Sequence, residues 1–167
     1  MEKRNRIKKR EVNNMTKSEL KVKRIKNGTV IDHITANRSL NILNMLKLPD
    51  DETAIMVAIN VESSDMGRKD IIKIEGRELS QDEVDKLVLL APQATLNIIR
   101  DYQNIRKSHL HLMDEITDVV TCSNPNCITN SNEPIQKRFA VQNKQPITLR
   151  CYYCERTMEY DDIESQF

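Results

Sequence analysis

The chain has no tryptophan and only two phenylalanines and four tyrosines, so aromatic side chains cannot supply most of its core. Its 167 residues fit one ordinary domain or two small ones, and small domains bury proportionally less surface. A metal staple in one of them would offset that deficit. Long hydrophobic runs are missing too: no stretch approaches the roughly 18 apolar residues that a membrane span requires. The charged N-terminal residues lack the apolar segment of a secretory signal. The expectation is a cytoplasmic protein, no membrane contact and reduced thiols, a setting in which structural disulfides are rare. Glycine is scarce as well. Gly28, Gly67 and Gly76 are too scattered to form a Walker loop or a Rossmann fingerprint. No nucleophile–base pair and no paired carboxylates stand in a catalytic setting, so no catalytic residue is assigned and the chain reads as non-enzymatic.

Charge is present but uneven. Residues 1–26 hold eleven Lys/Arg against three Glu, a net +8, and the remainder carries −7. The basic run could touch an anion, or could be a solvated, disordered extension as its composition suggests. The mildly acidic remainder argues against a broad nucleic-acid face on electrostatic grounds.

Residues 1–18 read as a basic, disordered tail. Leu20 and Val22 alternate with Lys21 and Lys23, the pattern of a half-buried strand, and Gly28 marks a turn. Between Asn37 and Leu48, Leu40, Leu43 and Leu46 recur at helical spacing until Pro49-Asp50-Asp51 breaks the pattern. The apolar run Ala54–Val61 reads as a central strand covered on both faces, with Lys69–Glu75 as its hairpin partner after the Met66-Gly67 turn. Ser80-Gln81-Asp82-Glu83 matches a capping box, followed by the apolar face Val84, Leu87, Val88 and Ala91. Pro92 stops that helix and Ala94–Arg100 is a last strand. The order β-α-β-β-α-β is the ferredoxin-like split βαβ arrangement, and the fold class is α+β. The expected division is a ligand-binding domain over 19–102, a charged linker or hinge over 103–115, and a small β domain over 116–167.

All four cysteines fall in that last segment, as Cys122-x4-Cys127 and Cys151-x2-Cys154 separated by 23 residues. Two close pairs from distant loops supply the four thiolates that tetrahedral Zn²⁺ takes at about 2.3 Å. Asn124-Pro125-Asn126 can curl the first loop around the metal. A closed four-thiolate site has no open coordination position, so its role is to fold the domain.

Ligand chemistry in the first domain must come from side chains. Lys69 and Lys73 are four apart on a strand and share a face, about 13 Å apart, enough to span a nucleotide. A solvated strand face is the plainer reading of such lysines. Asp32-His33 could bind a base or ribose or be a surface pair; His109 and His111 could bind metal or line an exposed hinge. Lys107 could add positive charge.

From about Leu20 onward the chain resembles the regulatory chains of aspartate carbamoyltransferase. The resemblance rests on Gly28-Thr29-Val30-Ile31-Asp32-His33-Ile34, Met66 to Glu75, Ala91 to Asn97 and the cysteine set. It implies a ferredoxin-like βαββαβ allosteric domain followed by a rubredoxin-like zinc domain with one structural Zn²⁺. It also implies pairing of regulatory chains through their allosteric domains, and zinc domains that hold catalytic trimers together in pyrimidine biosynthesis. The implied effectors are nucleoside triphosphates, CTP and UTP inhibiting and ATP activating. The family's nucleotide pocket transfers onto Val22, Lys23, Arg24, Ile25, Asp32, His33, Lys69, Lys73, Asn97, Ile99, Tyr102 and Lys107. Lys73 and the Ile25 backbone would read the base, while Lys69, Lys107 and Asp32 would meet ribose and phosphates. The metal ligands transfer as Cys122, Cys127, Cys151 and Cys154. Lys23 and Arg24 stand where the resemblance leads one to expect acidic and small residues, and Asn104 where it leads one to expect an apolar one. Two alternatives are a nucleic-acid-binding zinc-ribbon protein and a standalone metabolite sensor.

Overall fold

A computed structural model describes residues 23–167. The basic tail and the strand expected around Leu20 and Val22 lie outside the described residues. The first domain runs β1 (Gly28–Thr35), α1 (Ser39–Met45), β2 (Ile55–Ser63), β3 (Gly67–Glu75), α2 (Gln81–Leu90), β4 (Thr95–Arg100) and β5 (Gln103–His109). Its sheet has the order β2-β3-β1-β4-β5, with every neighbouring pair antiparallel. Through the first four strands this is the ferredoxin-like arrangement, with a fifth strand added at one edge.

Four local expectations need correction. Gly28 opens β1 instead of forming a turn before it. A Cβ there would lie 2.0 Å from the Ile74 carbonyl oxygen, and its φ is +133°, so only glycine admits the close approach of β3. The first helix is shorter than expected, because Asn37 and Lys47 adopt left-handed φ on either side of it. Leu40 consequently stands outside the apolar face, 62% exposed, while Ile42, Leu43 and Met45 are buried. The apolar strand β2 lies at the edge of the sheet, not its centre, and leaves Ile59 44% exposed. An apolar run fixes affinity for a covering surface without saying which molecule provides it. Finally, Gln103–His109 is a strand and not part of a linker. Its charges, Arg106 and Lys107, are the kind that keep an exposed sheet edge from pairing further.

The helices cover one face of the sheet. Ile31, Ile34, Ile72 and Ile74 from the strands pack against Ile42, Leu43, Leu46, Leu87 and Leu90 from the helices. Helix α2 begins with the expected capping box, in which the Ser80 hydroxyl accepts from the Glu83 N–H and the Glu83 carboxylate accepts from the Ser80 N–H.

The second domain contains β6 (Glu115–Thr117), a 3₁₀ turn (Ile128–Asn130), β7 (Arg138–Lys144), β8 (Ile147–Cys151), β9 (Thr157–Met158) and α3 (Tyr160–Glu164), with sheet order β6-β7-β8-β9. The short helix α3 has no clear sequence signal. It matters at the junction: the Arg38 guanidinium donates to both Glu164 oxygens at 2.7 and 2.8 Å and sits over the Tyr160 ring. Helix α2 binds the domains most directly, since Leu87 and Leu90 belong to the first core while Val88 and Leu89 belong to the second. Among the described residues no helix is long and apolar enough to cross a membrane.

Candidate functional site

The face of the sheet opposite the helices carries the ligand candidates. Strand alternation puts Asp70, Ile72 and Ile74 into the core and leaves Lys69, Ile71 and Lys73 on this outer face. Across the sheet, Lys73 is opposite Val30, Val30 is opposite Asn97, and Asn97 is opposite Lys107. A cavity of about 330 Å³ lies over this row, lined by Arg24, Ile25, Val30, Asp32, Ile71, Lys73, Asn97, Ile99, Tyr102 and Asn104. Seven of the residues singled out by resemblance therefore line one cavity. Lys69 and His33 stand at its edge through Asp32, and Lys107 lies beside it on β5. Lys23 contributes its carbonyl oxygen, which accepts from Lys73 Nζ at 2.7 Å. Val22 is outside the described residues. Val30 and Ile71 had not been singled out; each sits two positions from a candidate on the same strand, which is the signal that would have found them.

A bulge in β1 between Ile31 and Ile34 sets the position of Asp32 and His33. His33 adopts φ 60°, its N–H donates to Asp32 Oδ1, and its Nδ1 lies 3.3 Å from Thr95 Oγ1. Asp70, fully buried on the other side of β3, holds the surrounding chain in place. Its carboxylate accepts from the N–H groups of Asn37, Ser39 and Asn60 at 2.7–3.0 Å, and these keep it below the ordinary carboxylate range although burial acts upward.

The cavity is electropositive. Lys69 Nζ is 2.8 Å from Asp32, which neutralises one cation, but Arg24 and Lys73 both face the same space. Burial, reinforced by the Arg24 charge, lowers Lys73 below the usual lysine value despite Asp32. A ligand anion would relieve that repulsion. A larger cavity of about 490 Å³ at the domain junction lacks this character. Its cations are already engaged, Arg38 with Glu164 and Lys144 with Asp114 at 2.9 Å.

The four cysteines converge as expected, with all Sγ atoms within 4.8 Å of one another. The Cys122–Cys154 and Cys127–Cys151 sulfurs are 3.5 and 3.7 Å apart. Four sulfurs about 2.3 Å from a central ion stand about 3.8 Å apart, whereas a disulfide needs about 2.05 Å. The spacing therefore fits a tetrahedral thiolate cage. Asn124-Pro125-Asn126 forms the anticipated turn: the Asn126 N–H donates to Asn124 Oδ1, and the Cys127 N–H to the Asn124 carbonyl. The Asn124 N–H and Thr129 hydroxyl donate to Cys122 and Cys127 sulfurs. Burial pushes the Cys122 thiol up to about 12 and raises Cys151. Cys154, the half-buried member of the set, falls to about 6: burial still acts upward, but the Arg156 N–H and neighbouring donors stabilise its thiolate. Buried sulfurs this close can ionise together only around a cation.

Two family models match the chain in tandem. The aspartate carbamoyltransferase regulatory chain allosteric domain covers residues 20–111, and the metal binding domain of the same chain covers residues 114–164. This chain belongs to the aspartate carbamoyltransferase regulatory chain family. Among its relatives, the regulatory chain of Methanothermobacter thermautotrophicus is 60% identical over 149 residues, 89% of this chain and 96% of that one. Those of Thermococcus sibiricus and Methanocaldococcus jannaschii are 52% and 49% identical, covering 84% and 83% of this chain and 93% and 91% of theirs. The chain is thus a non-catalytic regulatory chain with an allosteric and a metal-binding domain. Both alternatives, the nucleic-acid zinc ribbon and the standalone sensor, give way to this membership.

Proposed function

We propose that this regulatory chain binds nucleoside triphosphates in the cavity over its outer sheet face and passes their effect to aspartate carbamoyltransferase catalytic chains through a zinc-filled thiolate cage domain. CTP and UTP inhibit, ATP activates, and the assembly works in the cytoplasm in pyrimidine biosynthesis. Lys73 and the Ile25 backbone read the base, while Lys69, Lys107 and Asp32 meet the ribose and phosphates. Zn²⁺ is the metal that best suits four thiolates in a tetrahedral cage. Its chemistry is structural: it neutralises the sulfurs and closes the loops at Cys122–Cys127 and Cys151–Cys154. The open apolar edge of β2 supports pairing of two regulatory chains through their allosteric domains.

The observation that carries the reading is the gathering of Arg24, Lys69 and Lys73 around apolar walls on one sheet face, in a domain whose helix α2 also enters the neighbouring core. A nucleotide that binds one quaternary state more tightly shifts the whole assembly toward it, typically by about 1–3 kcal/mol of coupling.

Calorimetric titration of CTP and ATP into the full chain tests the site. Lys69→Ala and Lys73→Ala should each weaken binding by about ten- to a hundredfold, the usual worth of a hydrogen bond to a charged group. Undiminished binding in both variants, or no binding by the unaltered chain, would refute it.

A further inference from the structure

We propose that the cavity at the domain junction is a second ligand site, one that takes an uncharged, flat molecule bearing a carbonyl acceptor. It lies away from the outer sheet face, and the proposal does not depend on the nucleotide reading.

The cavity measures about 490 Å³, within the range of small-molecule sites, which favour domain boundaries. Both domains build it. Leu90 and Pro92 at the end of α2 form one wall, and Pro146 and Ile147 at the start of β8 form another. These apolar surfaces can cover the faces of a flat ring, and the two prolines bring no N–H of their own.

Arg38 supplies the donors. Its Nη1 donates to both Glu164 oxygens, and its Cζ lies 4.9 Å from the centroid of the Tyr160 ring. Both partners are themselves fixed. The Tyr160 hydroxyl is 3.2 Å from the Leu90 carbonyl and 3.1 Å from Glu164 Oε1, and Glu164 also accepts from Asn41 Nδ2. Among the described residues, Arg38 Nε and Nη2 make no hydrogen bond. A guanidinium pinned through one nitrogen holds the other two as a rigid fork, which loses little freedom on meeting an acceptor.

Charge decides the class of molecule. Arg38 is balanced by Glu164 and Lys144 by Asp114, which leaves Asp161 as the surplus charge in the lining. A carboxylate or phosphate would find no spare cation there, and a cation would face two that are already paired. A neutral carbonyl accepts from the Arg38 fork without either penalty. A molecule seated between Leu90 and Ile147 touches both domains at once. It therefore binds this placement of the domains better than others and shifts the population toward it.

The test is a nuclear magnetic resonance titration of benzamide into the full, metal-loaded chain, following the methyl signals of Leu90 and Ile147. Both sets should shift saturably. Benzoate, the same ring with a charge, should bind about tenfold more weakly or worse. Arg38→Lys keeps a cation beside Glu164 but has no fork, so it should weaken benzamide by about tenfold. Gln93→Trp, at an exposed position on the cavity lining, should fill the space and abolish the shifts. Unchanged signals from β1 and β3 in both variants would show that the fold is intact. Absence of saturable shifts in the unaltered chain, tighter binding of benzoate, or undiminished benzamide binding in either variant would each overturn the site.

Discussion

The two domains solve the same problem, stabilising a small sheet, by different means. The allosteric domain buries isoleucines of β1 and β3 beneath the leucines of two helices, with Ile31, Ile34, Ile72, Ile74 and Leu87 all inaccessible to solvent. Apolar burial alone can hold a layer of that size. The metal-binding domain has Phe139 as its one buried aromatic, and three of its four cysteines count among its core side chains. It borrows Val88 and Leu89 from the first domain to complete that core. One domain is held together by hydrophobic surface, the other by ligation and a borrowed helix.

Removing the metal should expose the contrast most sharply. With a strong chelator at neutral pH, the domain from β6 onward should lose amide protection, while β1, β3 and β4 retain theirs in hydrogen-exchange measurements. A structural metal held by four thiolates typically contributes on the order of 10 kcal/mol to folding, more than so small a core can replace. Equal loss in both domains would show that they do not stand apart. Next in size, Leu87→Ala and Leu89→Ala should each cost about 2–5 kcal/mol, in different places. Denaturation followed by exchange should find the first loosening the allosteric sheet and the second loosening the contact with the cage domain.

Asp70→Asn should cost about 2–3 kcal/mol, because buried N–H groups of Asn37, Ser39 and Asn60 lose a charged acceptor. Its folded-state pKa is depressed, so its contribution is present above the unfolded value near 3.9. That contribution is lost as pH falls through the lower folded value. Acid titration of stability should therefore be flatter in Asp70→Asn than in the unaltered chain. Smallest of all, Glu164→Gln at the junction should cost about 1 kcal/mol or less, since the ion pair with Arg38 is partly solvated. Its effect should shrink in high salt.

Much of this architecture is legible in the residues. The helix starting at Ser80 is announced by its capping box, and strands β3 and β4 by alternation and short apolar runs. The cysteine spacing leads to the cage, and the Asn-Pro-Asn turn to its curled loop. What alternation does not convey is position within a sheet. β2 is apolar because its exposed edge suits a cover, and β5 is charged because its exposed edge must not pair; composition suggested the sheet interior for the first and a linker for the second. The pairing of Asn104 with Asn97 crosses two strands joined through a bulge between Ile98 and Ile99, so no local pattern discloses it. Lys69 and Lys73 were placed on one face by spacing, but the apolar walls that turn that face into a cavity come from three other segments.

The unlike borders of the five-stranded sheet carry a consequence of their own. A mostly apolar rim at β2, charged only at Glu62, can accept a neighbouring ribbon, whereas Arg106 and Lys107 on the opposite rim repel one. A body with a single adhesive side satisfies that side with one copy of itself and then has nothing left to offer. Pairing at that rim would be self-limiting, giving a closed two-fold pair and not a filament.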